Sequence, residues 1–365
     1  MKAIVVFLFI LVNVVFVTTF NSSQALAAEL AHSSAIKPGQ VLGGVETEYP
    51  AWFNDGFLDF KEELISATAS GKHLMIMFVL NGCPYCHAMV ERNLAQKDIE
   101  QLVRSKFEAI ALNMMGDRQL THVDGKTYNE KTFAEAMKVQ FTPTMLFFNE
   151  QGEVILRLNG YLPPEQFKVA LNYLVEKSGQ LSYRDYLALS AKPAAKNALK
   201  SEPFFVAAPY DLTRNANTKK KPLAIFFEQA DCPNCDTLHQ KNLSHPDTRL
   251  LLQNIESVQL DMWSDTPLTT PDGKASTARQ WAKQLDVKYA PTIVLFDEEG
   301  KEIVRTEAFL AQFHLQTVFD YVNSGIYKQQ PSFQRFIGQR SARIRAEGKN
   351  VDIWSMEDGT PAPKE

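Results

Sequence analysis

The sequence predicts an α/β protein of two tandem domains, each a central mixed sheet flanked by helices. Three observations carry that prediction. The first is length, since 365 residues exceed one ordinary domain. The second is an internal repeat. KHLMIMFVLNGCPYCHAMVERNL (72–94) recurs 149 positions later as KPLAIFFEQADCPNCDTLHQKNL (221–243). VDGKTYNEKTFAEAMKVQFTPTMLFFNEQGEVILR (123–157) recurs 148 positions later as PDGKASTARQWAKQLDVKYAPTIVLFDEEGKEIVR (271–305). A period of about 150 residues marks a duplicated domain, whereas solenoids repeat every 20 to 50. The third observation is the alternation of strand and helix patterns within each copy, which folds as a sheet with helices on both faces.

In the first copy, residues 74–80 are a continuous apolar run of strand length, as expected of a strand buried on both faces. After the cysteines, Met89, Val90 and Leu94 recur at helical spacing, so Cys83 and Cys86 lie where a strand hands over to a helix. Residues 110–113 read as a second strand, 132–138 as a helix and 145–148 as a third strand. Asn149-Glu150-Gln151-Gly152 then turns into a strand over 154–158, a hairpin signal repeated as Asp297-Glu298-Glu299-Gly300. Residues 164–176 close the unit as an amphipathic helix opened by a proline.

Hydrophobic residues make up 45% of the chain and charged residues 22%, which excludes disordered and coiled-coil classes. Thirty-eight basic side chains against 42 acidic ones leave a net charge of −4, so no nucleic-acid partner is expected. Lys2, the apolar run 3–18 and the small-x-small pattern at Ala25-Leu26-Ala27 predict a signal peptide over 1–27. The apolar run is also long enough to serve as an uncleaved anchor. Export to the periplasm places the cysteines where disulfides persist. The expected layout is a first domain over 45–185, a linker over 186–202 tethering separately folded units, a second domain over 203–328 and a tail over 329–365. Within the tail, Arg335, Arg340, Arg343 and Arg345 read as a solvated helix face, and Ile353 and Trp354 are expected to dock on the second domain.

The four cysteines form two C-P-x-C pairs, Cys83/Cys86 and Cys232/Cys235. A helix start favours thiolate over thiol, because its free N–H groups and dipole attract negative charge. This spacing puts Cys83 or Cys232 at the exposed helix start as the nucleophile. Cys86 or Cys235 lies one turn in, where it resolves the mixed disulfide. A purely structural disulfide explains the pairs less well, since so short a loop contributes about 2 kcal/mol or less. Zinc fits less well too, because 145 residues separate Cys86 from Cys232 whereas ligand pairs usually lie about 15 to 20 apart, so no metal is expected. His73 and His87 read as solvated, with His87 also placed to donate to a Cys83 thiolate. Glu228, Asp231 and Asp236 read as a solvated acidic rim, although Asp231 directly precedes Cys232. A carboxylate there disfavours the thiolate, so the second pair is expected to be the more reducing and to pass electrons to the first.

Each copy also carries Phe141-Thr142-Pro143-Thr144 or Tyr289-Ala290-Pro291-Thr292 ahead of an apolar strand. A cis peptide is the usual way to seat a proline there. A C-x-x-C at a strand-to-helix junction, followed by such a Pro-Thr element and a hairpin, is similar to the thioredoxin family over about residues 50–180 and 203–325. The resemblance implies that Pro143 and Pro291 are cis and pack beside the cysteines, and that Thr142 and Ala290 contact substrate backbone. The string CPYCHAM and the ending GKNVDIW further resemble periplasmic thioredoxin-related proteins of the SoxW type. The chain departs from the family in having Gly82 and Asp231 where a Trp precedes the first cysteine, and Met77 and Phe226 where a buried acid stands. The expected function is exchange of disulfides with protein or small thiol substrates. No cofactor is implied, since the cysteines carry the electrons, and regeneration needs a redox partner, either a membrane electron carrier or a second thiol protein. The alternatives are a non-catalytic binding or chaperone module and, in third place, an isomerase.

Overall fold

The structure, a computed structural model, describes residues 37–190, 199–214, 221–308 and 310–354. The expected signal peptide lies outside the described residues, as do 191–198 of the expected linker and the end of the tail. No helix among the described residues is long and apolar enough to cross a membrane.

After a short strand β1 (Val41–Leu42), the first domain runs α1 (Phe60–Ala69), β2 (His73–Val79), α2 (Pro84–Ala88, continued by a π-helical turn Met89–Leu94), α3 (Lys97–Lys106) and β3 (Phe107–Asn113). A small hairpin of β4 (Gln119–Thr121) and β5 (Thr127–Asn129) leads into α4 (Glu130–Ala136), β6 (Thr144–Phe148), β7 (Val154–Asn159), α5 (Pro164–Glu176) and α6 (Tyr183–Ser190). The sheet order is β3-β2-β6-β7, with β2 parallel to β3 and antiparallel to β6. All of residues 74–79 are buried. Leu74, Ile76 and Phe78 face a core closed by Phe60, Leu64 and Phe133 of α1 and α4. Met75, Met77 and Val79 face a core closed by Met89, Val103, Phe167 and Leu171, on the side that carries the cysteines. The mixed sheet with helices on both faces therefore holds.

The second domain repeats this plan with β8 (Tyr210–Asp211), β9 (Leu223–Glu228), α7 (Pro233–Thr237, with a π-helical turn Leu238–Leu243), α8 (Pro246–Leu252), β10 (Glu256–Asp261), β11 (Pro267–Thr269) and β12 (Ala275–Thr277). It continues through α9 (Ala278–Gln284), β13 (Thr292–Phe296), β14 (Glu302–Thr306) and α10 (Gln312–Asn323). Its sheet order is β10-β9-β13-β14. A counterpart of α1 is missing among the described residues, and β8 pairs with β11 instead. The repeated sequence signals have repeated physical causes. Asn149 Oδ1 accepts from the backbone of Gln151 and Glu153, Asp297 Oδ1 accepts from Glu299 and Lys301, and Gly152 and Gly300 close the two turns at φ 78° and 84°.

The two domains are packed together, which corrects the expectation of separately folded units on a tether. Tyr289 and Ala311 of the second domain belong to the first domain's core, and Phe141 of the first packs on the core of the second. Equivalent positions of the repeat meet, with Asn159 Nδ2 donating to Glu307 Oε2 at 2.6 Å. The side chain of Arg184, a residue of α6, donates to the carbonyls of Met262 and Val287 and stacks 4.6 Å from the Trp263 ring. The first residues of the expected linker are thus helical. Tyr183 and Tyr186, three apart on α6, both pack on Tyr173, with centroids 5.0 and 5.4 Å away.

The tail forms α11 (Phe333–Ala346) and β15 (Val351–Asp352). Phe333 and Phe336 sit in the second core. Trp354 does not, because β15 pairs in parallel with β1 and carries it onto the first domain, where it is 3% exposed and lies 5.9 Å from the Tyr85 ring. The arginine face is only half solvated. Arg335 and Arg343 are exposed, whereas Arg340 bonds Asp320 at 3.0 Å and Arg345 bonds the Gly39 carbonyl at 2.8 Å. Replacing Trp354 with Ala is expected to destabilise the first domain by about 3 kcal/mol, the usual cost of a buried aromatic deletion, read from urea unfolding of the full chain. A change below about 0.5 kcal/mol, the range of surface substitutions, shows that the tail does not dock there.

Candidate functional site

Each cysteine pair sits where a fully buried strand ends and a helix begins. Cys83 is the N-cap of α2, its Sγ accepting the Cys86 backbone N–H at 3.1 Å, and Pro84 occupies the first turn. Cys232 caps α7 in the same way, accepting from Cys235 at 3.1 Å, with Pro233 in the first turn. All four cysteines are joined, as Cys83–Cys86 and Cys232–Cys235. The N–H that polarises the sulfur is one that a helix start leaves unpaired, and a proline in this turn forfeits no hydrogen bond.

The helix is held in register by a side chain matched in the repeat. Asn93 donates to the Leu162 carbonyl at 2.9 Å, and Asn242 donates to Leu310 at 3.1 Å. The residue before each pair has a left-handed backbone, Gly82 at φ 71° and Asp231 at φ 55°. A Trp is strained in that conformation, whereas Gly adopts it freely and Asp tolerates it, which accounts for one departure from the thioredoxin pattern.

The structure brings both proline elements to the cysteines. The Thr142–Pro143 and Ala290–Pro291 peptides are cis. The Thr144 hydroxyl donates back to the Phe141 carbonyl at 2.8 Å and Thr292 to Tyr289 at 2.7 Å, so the Pro-Thr pair is one closed turn. Cys83 Sγ lies 3.6 Å from the Thr142 carbonyl oxygen, and Cys232 Sγ lies 3.6 Å from that of Ala290. Thr142 Oγ1 also donates to Cys83 Sγ at 3.3 Å, a contact that Ala290 has no atom to make. Of the other candidates near the first pair, His87 was expected to be solvated, but its Nδ1 is buried and has no hydrogen-bond partner among the described residues. His73 packs against Phe107, with centroids 5.9 Å apart.

Sequence reasoning missed a polar network behind the second pair. Glu228 is not part of a solvated rim, being 1% exposed. All six residues of β9 are buried, and Glu228 lies on the face of Ala224 and Phe226, so its place at the end of a wholly buried strand was the signal. His239 Nε2 lies 3.1 Å from both Glu228 oxygens, its Nδ1 lies 3.1 Å from Glu202, and Gln259 donates to Glu228 at 3.1 Å. The repeat places Val79 and Val90, both buried, at the positions of Glu228 and His239 in the first domain. The second domain therefore carries polar groups behind its cysteines, whereas Met77 and Phe226 are fully buried and apolar in both.

With this geometry in view, comparison with known proteins is direct. The family model of the thioredoxin-like domain matches residues 60–175 and again 210–323. The chain belongs to the thioredoxin-like family. Among solved structures, a thioredoxin-fold protein from Helicobacter pylori is 13% identical, with 40% of this chain and 94% of that chain covered and a TM-score of 0.35. A thioredoxin from Thermus thermophilus is 27% identical over 34% of this chain and 88% of its own, at a TM-score of 0.27. The C-terminal domain of DsbD from Neisseria meningitidis, in its oxidised form, is 16% identical over 32% and 91%, at 0.24. No curated protein matches the chain. This family member thus carries two thioredoxin-like domains with one C-P-x-C centre in each.

Burial lowers the pKa of His239, but its bonds and attraction to Glu228, and then to Glu202, outweigh burial and hold it above the ordinary imidazole value. A raised folded pKa stabilises the fold fully below the unfolded value, and that contribution is lost as pH rises through the folded value. Stability of the second domain is therefore expected to fall as pH rises above about 6.5, the ordinary imidazole value, and His239→Gln should flatten the slope, read as urea midpoints by tryptophan fluorescence. An equal slope in the variant refutes the assignment.

Proposed function

We propose that the protein is an exported thiol-disulfide oxidoreductase whose two C-P-x-C centres exchange disulfides with protein or small thiol substrates. The observation that carries this reading is the paired arrangement at each helix start. One sulfur accepts a backbone N–H, and beside it lies the carbonyl of the residue before a cis-proline. A helix start stabilises the thiolate that attacks, and the second sulfur, one turn in, resolves the mixed disulfide. Cys83 and Cys232 act as nucleophiles, Cys86 and Cys235 as resolving thiols, and Thr142, Pro143, Ala290 and Pro291 line the ground where substrate lands. Export to the periplasm rests on the leader pattern of 1–27, and likeness to SoxW-type proteins rests on the strings CPYCHAM and GKNVDIW. Regeneration calls for a thiol or membrane-borne redox partner.

The centres differ in how they treat the thiolate. The Thr142 hydroxyl stabilises it at the first, whereas Asp231 opposes it next to Cys232, and stabilising the thiolate makes a pair oxidising. The second pair is accordingly the more reducing, and electrons run from it to the first.

In an insulin-reduction assay the combined Cys83→Ser and Cys232→Ser variant should lose turnover completely while Cys83→Ser alone keeps part of it. Unchanged turnover in the double variant would refute catalysis and leave a binding module. Equilibration against glutathione of full chains with one centre replaced by serines should give the higher potential to the first centre. Thr142→Val should lower that potential by about 20 mV, the size of one modest hydrogen bond. A higher potential at the second centre defeats the assigned order.

A further inference from the structure

The two redox centres open onto very different spaces. At the first, Pro84, Tyr85 and both cysteines are buried. Leu310 and His314 of the second domain, together with Gln334, Ile337 and Ile353 of the tail, close over Cys83 and leave a cavity of about 140 Å³. That is room for about five water-sized groups at ~30 Å³ each. Tyr85 fastens this cover. Its hydroxyl accepts the Ala311 N–H at 2.8 Å and faces Nδ1 of His314 at 3.4 Å. Burial pushes the His314 pKa down to about 4, so the ring is neutral. On the tail side, Gln334 donates to the Gln140 carbonyl at 2.9 Å and Phe333 packs on Phe141, with centroids 5.1 Å apart.

Around the second centre Cys232 and Cys235 are buried too, at 8% and 4% exposed, but the two residues between them are open. Pro233 is exposed and Asn234 half-buried. Two adjoining cavities of about 300 and 310 Å³ share Gln166, Tyr289 and Ala290, so one groove runs past the residue before the cis-proline on both sides. Both domains build it, with Tyr161 and Tyr186 from the first and Trp263 and Tyr289 from the second. Aromatic walls with a few polar groups suit a chain of side chains and amides passing beside Ala290 and Asn234, next to the cysteines.

We infer that the two centres divide their partners by size: Cys232–Cys235 takes thiols and disulfides of an extended polypeptide, and Cys83–Cys86 takes only small-molecule thiols and disulfides. The inference rests on the oxidoreductase reading above. At the first centre Cys86 is fully buried, so a small thiolate attacks Cys83 Sγ. The Cys83–Cys86 bond breaks, and Cys86 leaves as thiolate and takes a proton. A second small thiol then attacks the mixed disulfide, forming the small disulfide and releasing the Cys83 thiol. Two electrons pass from two thiols to the protein. At the second centre, two thiols of one polypeptide perform both steps, and the polypeptide departs with a disulfide. Each sequence runs in reverse when the protein starts as the dithiol.

The test uses the full chain with both disulfides formed. It is exposed separately to 2-mercaptoethanol and to reduced, unfolded ribonuclease A, quenched in acid at early times and alkylated. Label on Cys83/Cys86 and on Cys232/Cys235 is then read by peptide mass spectrometry. Dividing the polypeptide rate by the small-thiol rate at each centre removes intrinsic reactivity. That ratio should be higher at the second centre by about tenfold or more, since misplacing reacting atoms costs factors of this order. A smaller difference, or a higher ratio at the first centre, overturns the inference. Failure of both reagents to label either centre overturns the oxidoreductase reading instead. Full chains with one centre replaced by serines exclude transfer between centres and must give the same order, and an inverted order also overturns the inference.

Discussion

The burial of one strand on both of its faces governs the rest of each domain. With six consecutive side chains of β2 and all six of β9 enclosed, neither strand can slip by one residue without turning a whole set of apolar groups to the opposite face. The end of the strand is therefore fixed, and with it the place where the backbone turns and the helix starts. The cysteines inherit their position from that constraint. Their backbone N–H partner, the left-handed residue ahead of them and the Asn93 or Asn242 anchor refine a location that packing has already set.

Much of this was legible in the chain. The continuous apolar run at 74–80 could be read as a central strand because its only polar neighbours lie at its ends, and α5 was readable to the residue because a proline opens it. The paired cysteines and Pro-Thr turns announced themselves because the repeat shows each of them twice. Elements outside the repeat were harder. Helix α1 has no second copy among the described residues, and α3, which buries Ile99 and Val103 four residues apart on an otherwise polar helix, was not picked out in the sequence. Glu228 was misread because composition near a cysteine says nothing of burial, whereas its place as the last residue of a strand enclosed on both faces does. Packing between the domains was invisible, since no local pattern reports that Asn159 will meet Glu307 or that α6 will offer Arg184 to another domain's carbonyls.

Duplication has left one scaffold with two environments. Loops at equivalent places, around Leu162 and Leu310, are anchored by equivalent asparagines in their own domains and then presented to the other domain's redox motif. The substitutions that distinguish the centres lie at a few matched positions: Thr142 against Ala290, Gly82 against Asp231, Tyr85 against Asn234, and the valines 79 and 90 against Glu228 and His239. Each acts through a different physical quantity, namely hydrogen bonding to sulfur, local charge, interdomain contact and buried polarity. Potential, access and pH response can therefore vary independently in the two halves without disturbing the fold.

The parallel pairing of β1 with β15 joins the two described ends of the chain beside the first redox motif. The ladder is only two residues long, and each of its hydrogen bonds contributes about 1 kcal/mol. With Trp354 behind it, such a clasp still opens more readily than either core gives way. Proteolysis, crowding against another surface or tension along the chain would all be felt there first. Ile353, which follows the clasp directly, is part of the cover over Cys83, so the clasp acts as a tamper seal on one of the two disulfides.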